Sequence, residues 1–208
     1  MIAISDSIFI SPDEYLQLEE KSNIKHEYIN GQVYAMAGTT DTHNTIGLNL
    51  ALLIRNHLRG SDCRVYFADI KARIEKRNRF YYPDILVTCD PKDRETPTYK
   101  SFSKLIVEVL SDSTEAFDRG DKFNDYQTLD SLEEYVLVNS KHQRFETFRR
   151  NEQGLWVLQT YTPDNQVFEL QSINLTASFA DLYENVELEV MDMMGVRIQE
   201  SEFRIQNS

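Results

Sequence analysis

Residues 80–111 constrain the fold of this chain more than any other stretch. This stretch begins and ends with short apolar runs, residues 80–87 and 105–111, and each run contains one carboxylate, Asp84 in the first and Glu108 in the second. Such runs, bounded by turn signals, are typical of strands buried on both faces. A buried carboxylate is unfavourable unless it is paired, hydrogen-bonded or bound to a cation. If the two strands are neighbours, Asp84 and Glu108 are expected to converge on one hard metal ion.

The length and composition of the chain predict one domain over residues 1–208, with a core of about 10–185 and a C-terminal segment, 187–208, of unclear role. No run of about 18 apolar residues is present, so we expect no membrane span. The N-terminus lacks the features of a signal peptide. The two cysteines, Cys63 and Cys89, form no disulfide or metal pattern, and we expect reduced thiols in the cytoplasm.

The formal charge of −12 restricts the classes of partner. An acidic protein is repelled by polyphosphate unless positive charge is concentrated locally, which argues against tight, non-specific binding of nucleic acid. Because a carboxylate cluster is negative until its cation binds, the charge does not exclude a metal-dependent enzyme that acts on nucleic acid.

Turn and cap signals organise the N-terminal third. Ser11 before Pro12 predicts a helix that ends near Glu20. The dipeptide Asn30-Gly31 between alternating runs predicts an N-terminal hairpin. Apolar spacing then predicts a helix over 43–60, with Asp41 or Thr42 as its cap.

The rest of the chain predicts an α/β fold with an αβββαβ core, in which a mixed sheet is flanked by helices. After the helix over 43–60, the core elements are a hairpin of strands 64–75 and 80–88, a strand 105–110, a helix 115–129 and a strand 134–139. Three short runs form a C-terminal antiparallel β extension, a meander of residues 144–150, 155–161 and 167–170, followed by a helical piece over 179–183.

Pro83-Asp84 followed by Glu108 within Ile106–Ser111, in that order of elements, resembles the PD-(D/E)XK restriction-endonuclease-like superfamily. Within that superfamily, the chain is similar to a bacterial family of predicted endonucleases. That likeness covers roughly residues 10–185 and also includes the motifs Lys25-His26-Glu27-Tyr28, His43-Asn44, Asp121-Lys122 and Glu134–Val138.

The resemblance implies metal-assisted hydrolysis of phosphodiester bonds in DNA, with Asp84 and Glu108 as ligands of Mg²⁺, or of Mn²⁺ in its place. It also implies a homodimer as the assembly. A lysine near the second carboxylate normally positions or deprotonates the attacking water, or stabilises developing charge.

The chain departs from the superfamily pattern at that lysine, because the position two residues after Glu108 is Leu110. Two replacements are open. Lys122, in the following helix, can reach back toward the end of the strand, and Lys71 can point across the sheet. The resemblance favours Lys122.

Two further residues are candidates for the site. Glu27, at the base of the N-terminal hairpin, can join the metal ligands, since the helix over 43–60 has no carboxylate after Asp41. His43, at the start of that helix, can transfer a proton or contact phosphate.

Each candidate also has a purely structural interpretation. Asp84 can cap a turn, Glu108 can pair with Lys71 or Arg73, and Lys122 can pair with Asp118 on an exposed helix face. Glu27 and His43 can simply occupy element ends. A basic cluster in the C-terminal part can bind phosphate or form a solvated strand face; its members are Lys141, His142, Arg144, Arg149 and Arg150.

Three functions therefore remain open. The first is a Mg²⁺-dependent endonuclease that acts on DNA. The second is a catalytically inactive relative that serves as a binding or interaction module, which the acidic charge and Leu110 favour. The third is a hydrolase of other phosphoesters, which keeps the same site.

Overall fold

The computed structural model describes residues 9–36 and 38–188, so residues 189–208 of the segment with unclear role lie outside the described part. In chain order its helices and strands are α1 (Pro12–Lys21), β1 (His26–Ile29), β2 (Gln32–Ala35), α2 (Asp41–His57), β3 (Arg64–Phe67), β4 (Lys71–Ile74), β5 (Arg79–Tyr81), β6 (Ile85–Thr88), β7 (Tyr99–Lys100), β8 (Ser103–Leu110), α3 (Glu115–Arg119), α4 (Asp121–Tyr126), β9 (Glu134–Asn139), β10 (Phe145–Arg150), β11 (Trp156–Tyr161), β12 (Val167–Leu170), β13 (Leu175–Ser178) and α5 (Phe179–Leu182). No helix in these described ranges is long and apolar enough to cross a bilayer.

The centre of the fold is a six-stranded mixed sheet in the order β11-β10-β9-β8-β6-β3. Strands β8 and β9 are parallel, and the other neighbours are antiparallel. One face packs against α2 through residues such as Ile46 and Leu50, and the other packs against α4 through Phe123 and Tyr126. This arrangement confirms the predicted αβββαβ core with a mixed sheet between helices.

The two strands predicted over 64–75 and 80–88 are each divided between two sheets. Their outer halves, β3 and β6, pair in the six-stranded sheet, whereas β4 and β5 pair in a five-stranded sheet of order β2-β1-β5-β4-β7. The chain changes sheet at Ala68, which has a φ of 57°, and at Pro83, which lacks the N–H that a continuous ladder requires. The N–H of Ala68 donates to the carbonyl of Asp84 at 2.9 Å. Asp84 therefore lies at the corner where the two sheets meet.

The predicted N-terminal elements are confirmed, with one change of cap. Ser11 caps α1 in a capping box with Glu14. Asn30 and Gly31 have φ values of 47° and 92°, which allow the tight turn between β1 and β2. Helix α2 is capped by Thr40, whose hydroxyl accepts the N–H of His43, and not by Asp41 or Thr42.

The helix predicted over 115–129 is two short helices, α3 and α4, joined at Gly120. Gly120 has φ −108° and ψ −100°, and a Cβ on it would lie 3.0 Å from the carbonyl oxygen of Ala116. Because Gly120 lacks a Cβ, the backbone can adopt this close approach at the break, which lies two residues before Lys122.

The predicted C-terminal meander is only partly correct. Strands β10 and β11 form the expected antiparallel pair, but β12 pairs with β13, a strand that the sequence analysis missed. The helical piece over 179–183 is present as α5.

The expectation of two reduced thiols is wrong for this structure, because Cys63 and Cys89 form a disulfide. Their neighbours Arg64 and Thr88 are partners in the β3–β6 ladder, so the cysteines face each other one position beyond it, with their Cα atoms 4.0 Å apart. The sequence separation of 26 residues conceals a proximity that strand pairing creates.

Candidate active site

Glu108 is a carboxylate in the hydrophobic core between β8 and α4. Alternation along β8 turns Val107 and Val109 toward α2 and turns Ile106, Glu108 and Leu110 toward α4. Glu108 is only 3% exposed. Its Oε1 accepts hydrogen bonds from Lys122 Nζ at 2.9 Å and from the Tyr126 hydroxyl at 3.2 Å.

Lys122 is the cation of this cluster. Its Nζ lies 2.9 Å from Glu108, 3.3 Å from Oε1 of Glu27 and 3.4 Å from Oδ1 of Asp118, while the residue is 5% exposed. Burial by itself lowers the pKa of Lys122, but Glu108, Glu27 and Asp118 outweigh that effect and raise its pKa well above the usual value. Lys122 is therefore held as an ammonium ion.

The cluster carries more negative than positive charge. Three carboxylates, those of Glu27, Glu108 and Asp118, share one ammonium, which leaves a formal excess of two negative charges. Burial raises the pKa of Glu108 well above its usual value; Lys122 opposes this, and the nearby Asp118 and Asp84 add to it. A further cation beside Glu108 would offset this repulsion.

Asp84 lies beside Glu108 at the start of β6. The pairing of Ile85 with Val107 brings Asp84 to the level of Glu108, and Asp84 Oδ2 accepts the backbone N–H of Val109 at 2.7 Å. Asp84 Oδ1 is 2.9 Å from His43 Nε2, in the first turn of α2. The Asp84 side chain is 22% exposed, so the cluster opens to solvent at this carboxylate.

Glu27 enters the cluster from the second sheet. It is buried on β1, and its Oε1 accepts the backbone N–H of Tyr82 at 3.2 Å in addition to its contact with Lys122. Lys122 thus links a carboxylate from the five-stranded sheet with one from the six-stranded sheet.

The structure brings the predicted residues together as two linked groups. Lys122, Glu108 and Glu27 contact one another through the lysine, and Asp84 and His43 form a pair next to them. Lys71 does not reach the carboxylates, because its Nζ lies on the opposite face of the five-stranded sheet and donates to the Tyr82 hydroxyl. The same geometry removes the alternative in which Lys71 pairs with Glu108.

Two residues of the cluster were not predicted as site residues. Asp118 was considered only as a partner of Lys122 on an exposed helix face, yet it is 3% exposed. Its spacing of four residues from Lys122 was the available signal. Tyr126, four residues after Lys122, lies within the helix predicted over 115–129, and nothing in its sequence context marks its hydroxyl as a partner of Glu108.

The arginines of the basic cluster in the C-terminal part mostly pair within the fold. Arg144 pairs with Glu146, Arg149 contacts Gln159, and Arg150 donates to carbonyl oxygens after α4, including that of Gln127. These contacts favour a structural interpretation of those side chains.

The donor set fits a hard divalent cation held by two carboxylates. Mg²⁺ takes oxygen ligands and is usually bound by one or two carboxylates, with waters and substrate phosphate filling the remaining positions. Asp84 and Glu108 supply two carboxylates at neighbouring strand positions. Within residues 9–36 and 38–188, no group of three or more His, Cys, Asp and Glu side chains could hold a metal ion by itself, so Glu27 as a third ligand stays a prediction.

Comparison with known proteins identifies the family of the chain. Residues 12–180 match the Uma2 family, described as "Putative restriction endonuclease". The uncharacterized protein slr1290 of Synechocystis sp. is 41% identical over 174 residues, which is 84% of this chain and 91% of its own length. A second Synechocystis protein, the uncharacterized protein sll1609, is 28% identical over 177 residues, 84% of this chain and all of its own length.

A solved structure shares the fold. The crystal structure of "a putative nuclease belonging to DUF820" from Anabaena variabilis superposes with a TM-score of 0.68 at 16% identity, covering 84% of this chain and 97% of that one.

Proposed function

The chain belongs to the Uma2 family, and from this premise we propose that it is a Mg²⁺-dependent endonuclease that hydrolyses phosphodiester bonds of DNA. Mn²⁺ is the expected substitute for Mg²⁺. The observation that carries the proposal is the 2.9 Å contact between Lys122 and Glu108. Glu108 lies on β8, which pairs with β6, and Asp84 directly precedes β6. With Leu110 in place of the usual lysine, this contact supplies the missing member of the constellation from α4.

Each residue has a defined task in this proposal. Asp84 and Glu108 would hold the metal ion, which would supply Lewis-acid activation of a water and positive charge beside the phosphoryl oxygens. The Lys122 ammonium stabilises negative charge that develops during hydrolysis, because three carboxylates keep its proton in place.

The remaining residues position these groups. His43 holds Asp84 through the 2.9 Å contact with Nε2, and Tyr126 orients Glu108 through its hydroxyl. Glu27 and Asp118 keep Lys122 charged and fix its direction.

A cleavage assay on supercoiled plasmid and on single-stranded DNA tests the proposal directly. With Mg²⁺ or Mn²⁺, the native protein is expected to nick or linearise the plasmid. Loss of a residue that only supports a metal ligand can lower activity by roughly a hundredfold. Asp84→Ala and Glu108→Ala remove proposed ligands themselves and should lower the cleavage rate by more than that. Asp62→Ala is the matched control, since that carboxylate is 93% exposed and contacts only Arg94 among the described residues, at 3.5 Å; it should cut at the native rate.

The outcomes separate the competing functions. Metal binding seen by calorimetry without any cleavage by the native protein supports the inactive binding module. Hydrolysis of a small phosphodiester such as bis(p-nitrophenyl) phosphate, with DNA left intact, supports the hydrolase of other phosphoesters. Cleavage that survives in both the Asp84 and Glu108 variants rejects the assigned site.

Two accompanying expectations are part of the same proposal. A homodimer is expected, and sedimentation equilibrium measures it. Cytoplasmic localisation is expected as well, although a disulfide such as Cys63–Cys89 is rare in that compartment, and cell fractionation tests it.

A further inference from the structure

A cleft next to the Lys122 cluster has no role in the proposed hydrolysis. It has a volume of about 500 Å³ and lies between the N-terminal hairpin, β5 and the helices α3 and α4. Two partly exposed aromatic side chains line it, Tyr34 from the hairpin and Phe117 from α3, while the ring of Tyr81 from β5, which is 1% exposed, forms its floor; Asn124 and Asp121 also line it.

The cleft adjoins the site through residues that belong to both. Tyr34 is the direct cross-strand partner of Glu27 in the β1–β2 ladder, so the two side chains leave the hairpin on the same face. The ring centroid of Tyr81 lies 5.5 Å from Lys122 Nζ. A group bound in the cleft would therefore lie beside Glu27 and Lys122 of the proposed active site.

The walls of the cleft are fixed by one buried carboxylate. Asp125 Oδ2 accepts the Tyr81 hydroxyl at 2.6 Å and Nε of Arg79 at 3.1 Å, and its Oδ1 lies 3.6 Å from Nε of Arg77. Phe117 packs edge-to-face on Tyr81 at 5.9 Å. These contacts hold Tyr81 and Phe117 in place.

The charge of the cleft favours a neutral, flat ligand over a phosphate. Its two arginines, Arg77 and Arg79, both pair with Asp125, and Asp121 adds a second carboxylate, so positive charge is fully balanced. What the cleft offers is ring surface for stacking, an amide with both donor and acceptor, and a carboxylate acceptor. A nucleobase matches this set, because it has a π-face and an edge of amino, imino and carbonyl groups.

We propose that this cleft binds one unstacked nucleotide of the strand that the enzyme cuts, with its base against the aromatic walls and its edge toward Asn124 and Asp121. The inference rests on the proposed nuclease function and specifies its substrate as single-stranded or locally unpaired DNA. In a continuous duplex each base is stacked on both faces and paired at its edge, so it cannot enter. The charge of −12 also gives no general attraction to a duplex backbone.

Fluorescence anisotropy with a labelled single strand of mixed sequence, about twelve nucleotides long, tests the proposal. Ca²⁺ serves as the divalent ion because it accepts the same oxygen ligands as Mg²⁺, and a gel run afterwards verifies that the strand is intact. The native protein should bind the single strand at least about tenfold more tightly than a duplex of the same length, since loss of one base–aromatic stack costs about 1–3 kcal/mol.

Three variants assign that binding to the cleft. Tyr34→Ala and Asn124→Ala should weaken single-strand binding about tenfold without changing duplex binding, whereas Tyr34→Phe keeps the ring and should bind as the native protein does. Asn56→Ala, at an exposed residue of α2, is the matched control. Thermal melts within about 2 °C of the native protein establish that the variants are folded.

The results distinguish failure of the cleft from failure of the nuclease function. If the protein cuts DNA but binds single strand and duplex equally, or if neither Tyr34→Ala nor Asn124→Ala weakens binding, the cleft assignment is overturned while the nuclease function stands. If the native protein binds no single strand, the assignment is also overturned. If binding depends on the cleft but no divalent ion supports cleavage, the cleft stands and the nuclease function falls.

Discussion

Two buried lysines lie on opposite faces of the five-stranded sheet, and their environments differ. Lys122, from α4, is 5% exposed on the face that carries Glu27 and Tyr81, while Lys71, from β4, is 6% exposed on the face that carries Tyr82. Lys122 has three carboxylates within 3.4 Å. Lys71 Nζ donates to the Tyr82 hydroxyl at 3.2 Å, and that hydroxyl donates in turn to Glu19 at 2.9 Å.

The difference shows in the direction of their pKa shifts. Burial lowers the pKa of Lys71, and the distant Glu19 opposes this only in part. Burial also lowers the pKa of Lys122, but the attraction of three carboxylates is larger, so its pKa is raised. Burial of a lysine is therefore not the mark of the site in this fold. What distinguishes the proposed site is the surplus of carboxylates around Lys122.

The largest expected contrast is in stability. Lys122→Met leaves three buried carboxylates without their cation and should lower the free energy of unfolding by about 3–5 kcal/mol. Lys71→Met replaces one long side chain by another of similar volume and should cost less than about 1.5 kcal/mol. Urea denaturation at pH 7 in EDTA measures both, and equal losses in the two variants would contradict the comparison.

The stability deficit of Lys122→Met should depend on pH. Without the lysine, burial keeps the pKa of Glu108 above its unfolded value, so the folded state binds protons more tightly. That contribution is fully present below the unfolded pKa, about 4.3, and is lost as the pH rises through the folded pKa. The deficit relative to the native protein should therefore grow as the pH rises above that unfolded value.

Lys71→Met is the control for this pH series. Lys71 is not the partner of a buried carboxylate cluster. The free energy of unfolding of Lys71→Met, plotted against pH, should therefore run parallel to that of the native protein. If the stability deficit of Lys122→Met stays constant as the pH rises, the buried carboxylates do not depend on Lys122 for their charge compensation, and the comparison is contradicted.

A smaller effect is expected from metal. Free Mg²⁺ at ten times its dissociation constant should raise the free energy of unfolding of the native protein by about 1.4 kcal/mol. Glu108→Gln should lose this increment, whereas Glu19→Gln, which changes a carboxylate on the Lys71 side, should keep it. Thermal denaturation with and without EDTA gives both values, and an increment retained by Glu108→Gln would remove Glu108 from the metal ligands.

The smallest contrast concerns two tyrosine hydroxyls. Tyr126→Phe removes a donor to Glu108, and Tyr82→Phe removes the hydroxyl between Lys71 and Glu19, each at about 1 kcal/mol of stability. Only Tyr126→Phe should slow cleavage, by at most about tenfold, because only that hydroxyl orients a proposed metal ligand. Single-turnover cleavage rates measure this. Equal slowing by Tyr82→Phe would contradict the prediction, because the Lys71 side of the sheet would then affect cleavage as well.

The amino-acid sequence by itself determined the features that short-range chemistry controls. Ser11 and Glu14 close a capping box, Asn30 and Gly31 adopt positive φ, and the runs around Asp84 and Glu108 each form a buried strand. These features depend on residues a few positions apart, where turn preference and apolar periodicity act directly. The order of elements was sufficient for the αβββαβ core, and with it for the proximity of Asp84 to Glu108.

Only the tertiary structure decided which distant groups share a location. It divided two predicted strands between two sheets at Ala68 and Pro83, excluded Lys71 as the alternative to the favoured Lys122, and joined Cys63 to Cys89. These outcomes depend on the direction in which each element approaches its neighbours, and periodicity does not encode that direction. A shift of one residue reverses the face to which a strand residue points, so the same lysine can complete the site or lie behind the sheet.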